Sequence, residues 1–226
     1  MFPIFDSTMI LLLPAIALAA WAQWKVRSTY KKYSEIPTRA ARPGLRVAKD
    51  ILRANRLDSV GVEPVAGMLS DHYDPRAKSV RLSEGNYQSA SIAAVAVAAH
   101  EVGHAMQDGL GYAPLSLRHN LFPVVNISST MAMPLLLIGF ISNFPMLIDL
   151  GIVFFSVAVL FHVVTLPVEF NASSRALVQL RQGNYLDEGE LAGAKKVLNA
   201  AALTYVAATA MALLQLLRFI LLRPRD

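Results

Sequence analysis

In the stretch AVAAHEVGHAMQD, Ala96 to Asp108, two histidines bracket a glutamate. On an α-helix, residues four apart share a face, so His100 and His104 can each offer a ring nitrogen to one ion. Glu101 then lies beside that ion without having to ligate it. There it can take a proton from an activated water and pass it to a leaving amine. Zinc suits this role, because it brings the pKa of a bound water to about 7. HExxH alone is a loose pattern. Here it sits mid-helix in an apolar run, where two imidazoles and a carboxylate buried without an ion would be costly. Gly103 leaves room for another backbone to come close. The chain has no cysteine, so any metal must be held by His, Asp or Glu.

A third ligand must come from elsewhere in the chain, and finding it requires the elements that carry these residues. The 226 residues are 54% hydrophobic, far above a soluble domain, and the excess lies in long blocks. Four blocks reach the about 20 apolar residues needed to cross a bilayer as helix. The first runs from about Met9 to Trp24, with a start as early as Phe2 allowed. The second and third, Leu121–Ile141 and Met146–Leu166, are separated only by Ser142, Asn143, Phe144 and Pro145 and form a tight hairpin. The fourth is Asn199–Leu222. The first block resembles a signal peptide, but Met1–Thr8 carries Asp6 and no positive charge. Ten of the 21 Lys and Arg residues follow between Lys25 and Arg56. That asymmetry marks a retained anchor with its N-terminus outside and a cytoplasmic segment behind it. It also explains the net charge of +5 without nucleic acid, for which no recognised motif is present.

Between the first and second blocks the chain is polar enough to form a domain. Leu45, Ala48, Ile51 and Leu52 fall at helical spacing after Pro43-Gly44. Val60–Val65 reads as a short strand, and Met68–Gly85 as two strands joined by a turn at Asp74-Pro75. A helix from about Ser89 to Gln107 carries HEVGH. A polar helix starts near Asp187, where Asp187 and Glu190 form a capping-box-like pair.

Topology then weighs the carboxylates. Asp149 lies one crossing away from the HEVGH side, with about 30 Å of hydrocarbon between. Glu169 follows two crossings, so the chain has returned, and it opens the helical segment EFNASSRALVQL. Glu169 is the favoured third ligand. His162 shares its helical face and reads either as support for the ligands or as an interface residue. For the oxyanion of a tetrahedral intermediate, Arg175 is the first candidate donor, with Tyr185 and His72 behind it. Arg175 could equally be an exposed interface arginine. His72 lies in the strand-like segment before the metal helix, where it either faces the cleft or sits on the hairpin surface.

Four separated motifs agree in order: DHYDPRAKSVRLSE, SIAAVAVAAHEVGHAMQ, LRHNLFPVVNISS and PVEFNASSRAL. Together they resemble the YugP-type membrane zinc metallopeptidases, over nearly the whole chain. That family groups with the gluzincins and is similar in plan to the HtpX-like and CAAX-processing membrane peptidases. The resemblance implies His100, His104 and Glu169 as zinc ligands and Glu101 as catalytic base. There are two departures. Related peptidases have an Asp, bonded to a ligand histidine, where this chain has Ser173, and the closer family is expected to have Asp where this chain has Asn171. A Ser or Asn can still accept a hydrogen bond.

The expected fold is a mainly α membrane protein, with four transmembrane helices plus a zincin-like α domain holding a small β component. Its parts are an anchor (1–24), a cytoplasmic domain with the HExxH helix (25–120), a transmembrane hairpin (121–168), a third-ligand and return segment (169–198) and a last span (199–222). The expected function is hydrolysis of membrane or membrane-proximal polypeptides by zinc-activated water. An intramembrane-cleaving protease and a scaffold with a structural zinc site are the alternatives. Expected partners are the lipid bilayer and a polypeptide substrate, with a homo-oligomer or a membrane partner protein left open. The expected location is a bacterial plasma membrane, with the site on the cytoplasmic side. Arg223 and Arg225 sit uneasily with that topology, because a full fourth span would put them outside.

Overall fold

A computed structural model describes residues 7–224. Phe2, Asp6 and Arg225, to which the sequence reading assigned a helix start and charges, lie outside them. The described chain runs through a 3₁₀ turn (Ser7–Leu12), α1 (Leu13–Ser34), α2 (Gly44–Ala54), β1 (Gly61–Val65), β2 (His72–Asp74), β3 (Ser79–Ser83), α3 (Glu84–Gln88), α4 (Ile92–Gly109), α5 (Ala113–Ile141), α6 (Pro145–Gln182) and α7 (Glu188–Leu222). It divides into two compact units. One is Trp24–Leu115 with Pro167–Ala202. The other is formed by the described parts of Met1–Gln23, Ser116–Leu166 and Leu203–Asp226.

The second of these units is almost entirely helix, and its helices are mostly apolar. Among the described residues, four helices are long and apolar enough to cross a membrane: Ser7–Ser34, Ala113–Ile141, Pro145–Gln182 and Glu188–Leu222. Only 17% to 28% of their most apolar windows is buried inside the protein, so Ile127, Met133, Ile138, Val153 and Leu160 point outward. Apolar surface of this extent suits a bilayer. Glycines let α5 and α6 approach closely: a Cβ on Gly139 would come 2.9 Å from the Ile148 nitrogen, and one on Gly151 would come 3.0 Å from that of Leu136. The hairpin turn falls where expected, with α5 ending at Ile141 and α6 opening at Pro145. At the far end of α7, Arg223 donates to Asp149 through two contacts of 2.7 and 2.8 Å. The charge that sat uneasily with a fourth span is therefore paired with the carboxylate that was the rival third ligand.

The other unit holds a mixed three-stranded sheet in the order β1-β3-β2. β1 runs parallel to β3, with Val62 opposite Val80. β2 runs antiparallel, with Tyr73 opposite Val80. The turn between β2 and β3 is built by Asp74, whose Oδ1 accepts from the amides of Arg76 and Ala77 at 2.9 and 3.1 Å. Val47, Ala48, Ile51 and Leu52 of α2 join Val80, Leu82 and the alanines of α4 in one core. Its small side chains explain how α4 can run through the middle, against α2, α3, β2 and β3. Ser91 caps α4 by accepting from the Ala94 amide at 3.2 Å. At its other end, Asp108 takes hydrogen bonds from Tyr73 (2.7 Å) and Lys78 (2.5 Å), clasping the hairpin to the helix. Asp187 and Glu190 form the reciprocal capping box at the start of α7, with contacts of 2.9 and 2.8 Å.

The helices outrun their apolar blocks. α1 continues to Ser34. α6 is one helix from the hairpin turn to Gln182, passing through Pro167. α7 joins the polar return helix to the last apolar block without a break.

Candidate metal centre

Two helices meet at the site. α4 presents His100, Glu101 and His104, and the part of α6 after Pro167 presents Glu169. Small residues make this approach feasible, since a Cβ on Gly103 would come within 2.6 Å of the Ala172 carbonyl oxygen. Backbone against backbone brings the histidine face of α4 onto α6. Glu169 Oε2 lies 3.3 Å from His100 Nε2 and 3.6 Å from His104 Nε2. The rings stand edge to face, with centroids 4.8 Å apart. One ligand atom from each of the three residues lies within 4.8 Å of the others.

The donor set suits zinc. Two imidazole nitrogens and a carboxylate oxygen are standard ligands, bound at about 2.0–2.2 Å, so a tetrahedral ion holds its ligand atoms roughly 3.3–3.5 Å apart. The two contacts to Glu169 bracket that spacing. His104 and Glu169 are buried and His100 nearly so. A carboxylate and two imidazoles at this depth are a costly arrangement without a cation to balance them.

The ring nitrogens facing away from the cluster are occupied. His100 Nδ1 lies 3.1 Å from Ser173 Oγ, and His104 Nδ1 lies 3.0 Å from Gln107 Oε1. Ser173, one of the two departures from the resembled pattern, therefore still meets the histidine. Gln107 Nε2 donates to the Val168 carbonyl oxygen (2.8 Å) and to Asn171 Oδ1 (3.0 Å). Asn171, the other departure, is thus a hydrogen-bond acceptor behind the site. Gln107 escaped the sequence reading. Its signal was a lone amide three residues beyond a ligand candidate on a helix expected to be buried.

Glu101, beside His100 on α4, is 7% exposed. Burial is the largest influence on its carboxyl and pushes it above the ordinary range. His100 and His104 pull against that shift, while Glu169 and Asp71 reinforce it. Asp71 is itself fixed by the amide and hydroxyl of Ser83 and by Asn86, at 2.7 to 3.1 Å.

The remaining candidates fall outside the group of three. Arg175 meets it indirectly, donating from Nε to Asn171 Oδ1 at 2.7 Å. His72 is exposed on β2, with Nδ1 2.8 Å from the Ser70 carbonyl oxygen. Tyr185 packs into the domain core, with the Arg42 guanidinium 5.6 Å from its ring centroid.

Comparison with known proteins agrees with this chemistry. No solved structure matches. A relative from Bacillus subtilis (strain 168), named "Putative membrane protease YugP", is 50% identical over 212 residues, covering 94% of each chain. The sequence model of the family described as "Putative neutral zinc metallopeptidase" matches residues 8–223. That match takes in α4, α6 and every residue of the cluster, and the chain belongs to this zinc metallopeptidase family.

Proposed function

We propose that the protein is a membrane-embedded zinc peptidase that cleaves membrane or membrane-proximal polypeptides. His100, His104 and Glu169 are its metal ligands and Glu101 its general base. The observation that carries this reading is the convergence of two Nε2 atoms and one carboxylate oxygen, each held by a separate hydrogen-bonded or packed support. Zinc bound there would supply a Lewis acid for a water and for the scissile carbonyl. The order HExxH followed by a glutamate on a later helix gives the site a gluzincin plan.

In this reading Glu101 takes a proton from the attacking water on its carboxylate and delivers it to the departing amine. Burial raises its proton affinity above that of an exposed carboxylate, the direction a general base needs. Arg175 is tied to Asn171 through Nε, and its Nη groups are proposed to donate to the developing oxyanion. His72, on the edge strand, is the second donor proposed. The purified full chain should carry one zinc, and chelation should abolish peptide hydrolysis until zinc is restored. Stoichiometric zinc with no hydrolysis of any membrane-protein substrate would make the site structural, and absence of zinc would remove the metal reading.

We place the site on the cytoplasmic side. The Lys25–Arg56 cluster supports this, since positive charge beside a first span is retained there. The chain lacks cysteine, so single cysteines serve as probes. Ala77→Cys and Gln182→Cys, at exposed positions, should resist an impermeant thiol reagent in intact cells, and Asn143→Cys should react. The reverse pattern would put proteolysis outside the cytoplasm.

A further inference from the structure

The amide of Gln107 is fully buried near the end of a helix made largely of alanine and valine, and every hydrogen-bonding position on it that the contacts reveal is used. A buried amide in such surroundings is costly unless satisfied. An amide offers two N–H donors on nitrogen and an accepting carbonyl oxygen. The Val168 oxygen is a backbone carbonyl and can only accept. Asn171 Oδ1 also accepts, since Arg175 Nε donates to it. The nitrogen of Gln107 must therefore face α6. Turning the amide over would set its oxygen against two acceptors.

That leaves Oε1 facing His104 Nδ1 at 3.0 Å. An oxygen there requires a hydrogen on Nδ1. A neutral imidazole carries one N–H, so the opposite nitrogen, Nε2, holds the lone pair. Nε2 is the atom 3.6 Å from Glu169 Oε2. The acceptors on α6 lie at Val168 and Asn171, on either side of Glu169, so the same amide also fastens the helix that carries the third ligand. Resting on the zinc reading above, we propose that Gln107 is a positioning residue: its Oε1 selects the His104 tautomer that can ligate, while its Nε2 locks α6 so that Glu169 meets that histidine.

The two roles separate by substitution. Gln107→Met keeps the length of the side chain and removes all three hydrogen bonds. Gln107→Glu restores an acceptor for Nδ1–H but cannot donate to Val168 or Asn171. Zinc affinity of the full chain in detergent, measured by competition with a chromophoric chelator, should fall about 10- to 100-fold in Gln107→Met, the usual effect of removing a histidine's partner. Gln107→Glu should bind more tightly than Gln107→Met, recovering at least part of that loss. A Gln107→Met protein within threefold of the parent would overturn the proposal. So would a Gln107→Glu protein no tighter than Gln107→Met, which would leave only a helix clamp. If Gln107→Met fails to fold, the parent itself still decides. Nitrogen-15 NMR of the metal-free protein with labelled histidine should show His104, assigned by its loss in His104→Asn, protonated at Nδ1. Protonation at Nε2 alone would defeat the idea. Failure of the parent to bind zinc would instead defeat the metal reading.

Discussion

Glu101→Gln should retain zinc and lose about 10²- to 10⁴-fold in turnover, the range that a positioned general base contributes. The substitution replaces one carboxylate oxygen by an amide nitrogen of nearly the same size, so α4 and the ligand geometry are left alone. What is lost is a group able to accept a proton and return it. The contrast with the ligands is diagnostic. His100→Ala or Glu169→Ala removes a donor from a site with three, and metal content and turnover should fall together. Elemental analysis and a peptide-cleavage assay on the same preparations separate the two classes. Near-normal cleavage by Glu101→Gln would remove Glu101 from the chemistry, and full zinc in Glu169→Ala would remove Glu169 from the site.

His100, Glu101 and His104 were legible in the sequence because the period of a helix is fixed: once the segment is helical, a spacing of four puts the imidazoles on one face. Glu169 was legible for a different reason. Two apolar blocks separated by four residues, if each crosses the bilayer, return the chain to the side it left, and Glu169 is the carboxylate that follows them. Gln107 was not legible, because its role depends on what α6 presents to it. The oxygen of Val168 is invisible in a side-chain pattern, and Asn171 is 64 residues away. The pairing of Arg223 with Asp149, 74 residues apart, was hidden in the same way. The continuity of the helices was missed because apolar composition marks where a helix needs lipid. It does not mark where hydrogen bonding ends. The helical segment after Glu169 and the polar helix expected near Asp187 are therefore both present but are continuous with the apolar blocks beside them, α6 running through Pro167 and α7 carrying on into the last block. A proline inside a helix forfeits one hydrogen bond, and packing of neighbouring helices can sustain the helix through it.

Gly103→Ala tests the feature on which the whole site depends. In an ordinary helix interior, alanine in place of glycine stabilises by about 1 kcal/mol. At Gly103 the added Cβ would lie 2.6 Å from the Ala172 oxygen and 3.2 Å from that residue's carbonyl carbon and Cα. All three atoms are backbone, with no side chain to swing aside, so the contact is relieved only by moving α6 away from α4. Overpacking of a well-filled core typically costs about 1–3 kcal/mol and sometimes more. With backbone as the obstacle the cost should exceed the propensity gain, making the net effect destabilising. The same displacement moves Glu169, three residues before Ala172, away from the two histidines on either side of Gly103. Gly103→Ala should therefore lower the unfolding temperature of the full chain and weaken zinc binding at least tenfold, although it alters no ligand. Gly85→Ala is the control: it lies in α3 and its Cβ would meet nothing within 4 Å. It should melt at or slightly above the parent and bind zinc like it. A Gly103→Ala protein indistinguishable from Gly85→Ala in both measurements would mean that α4 and α6 do not need this close approach to assemble the metal centre.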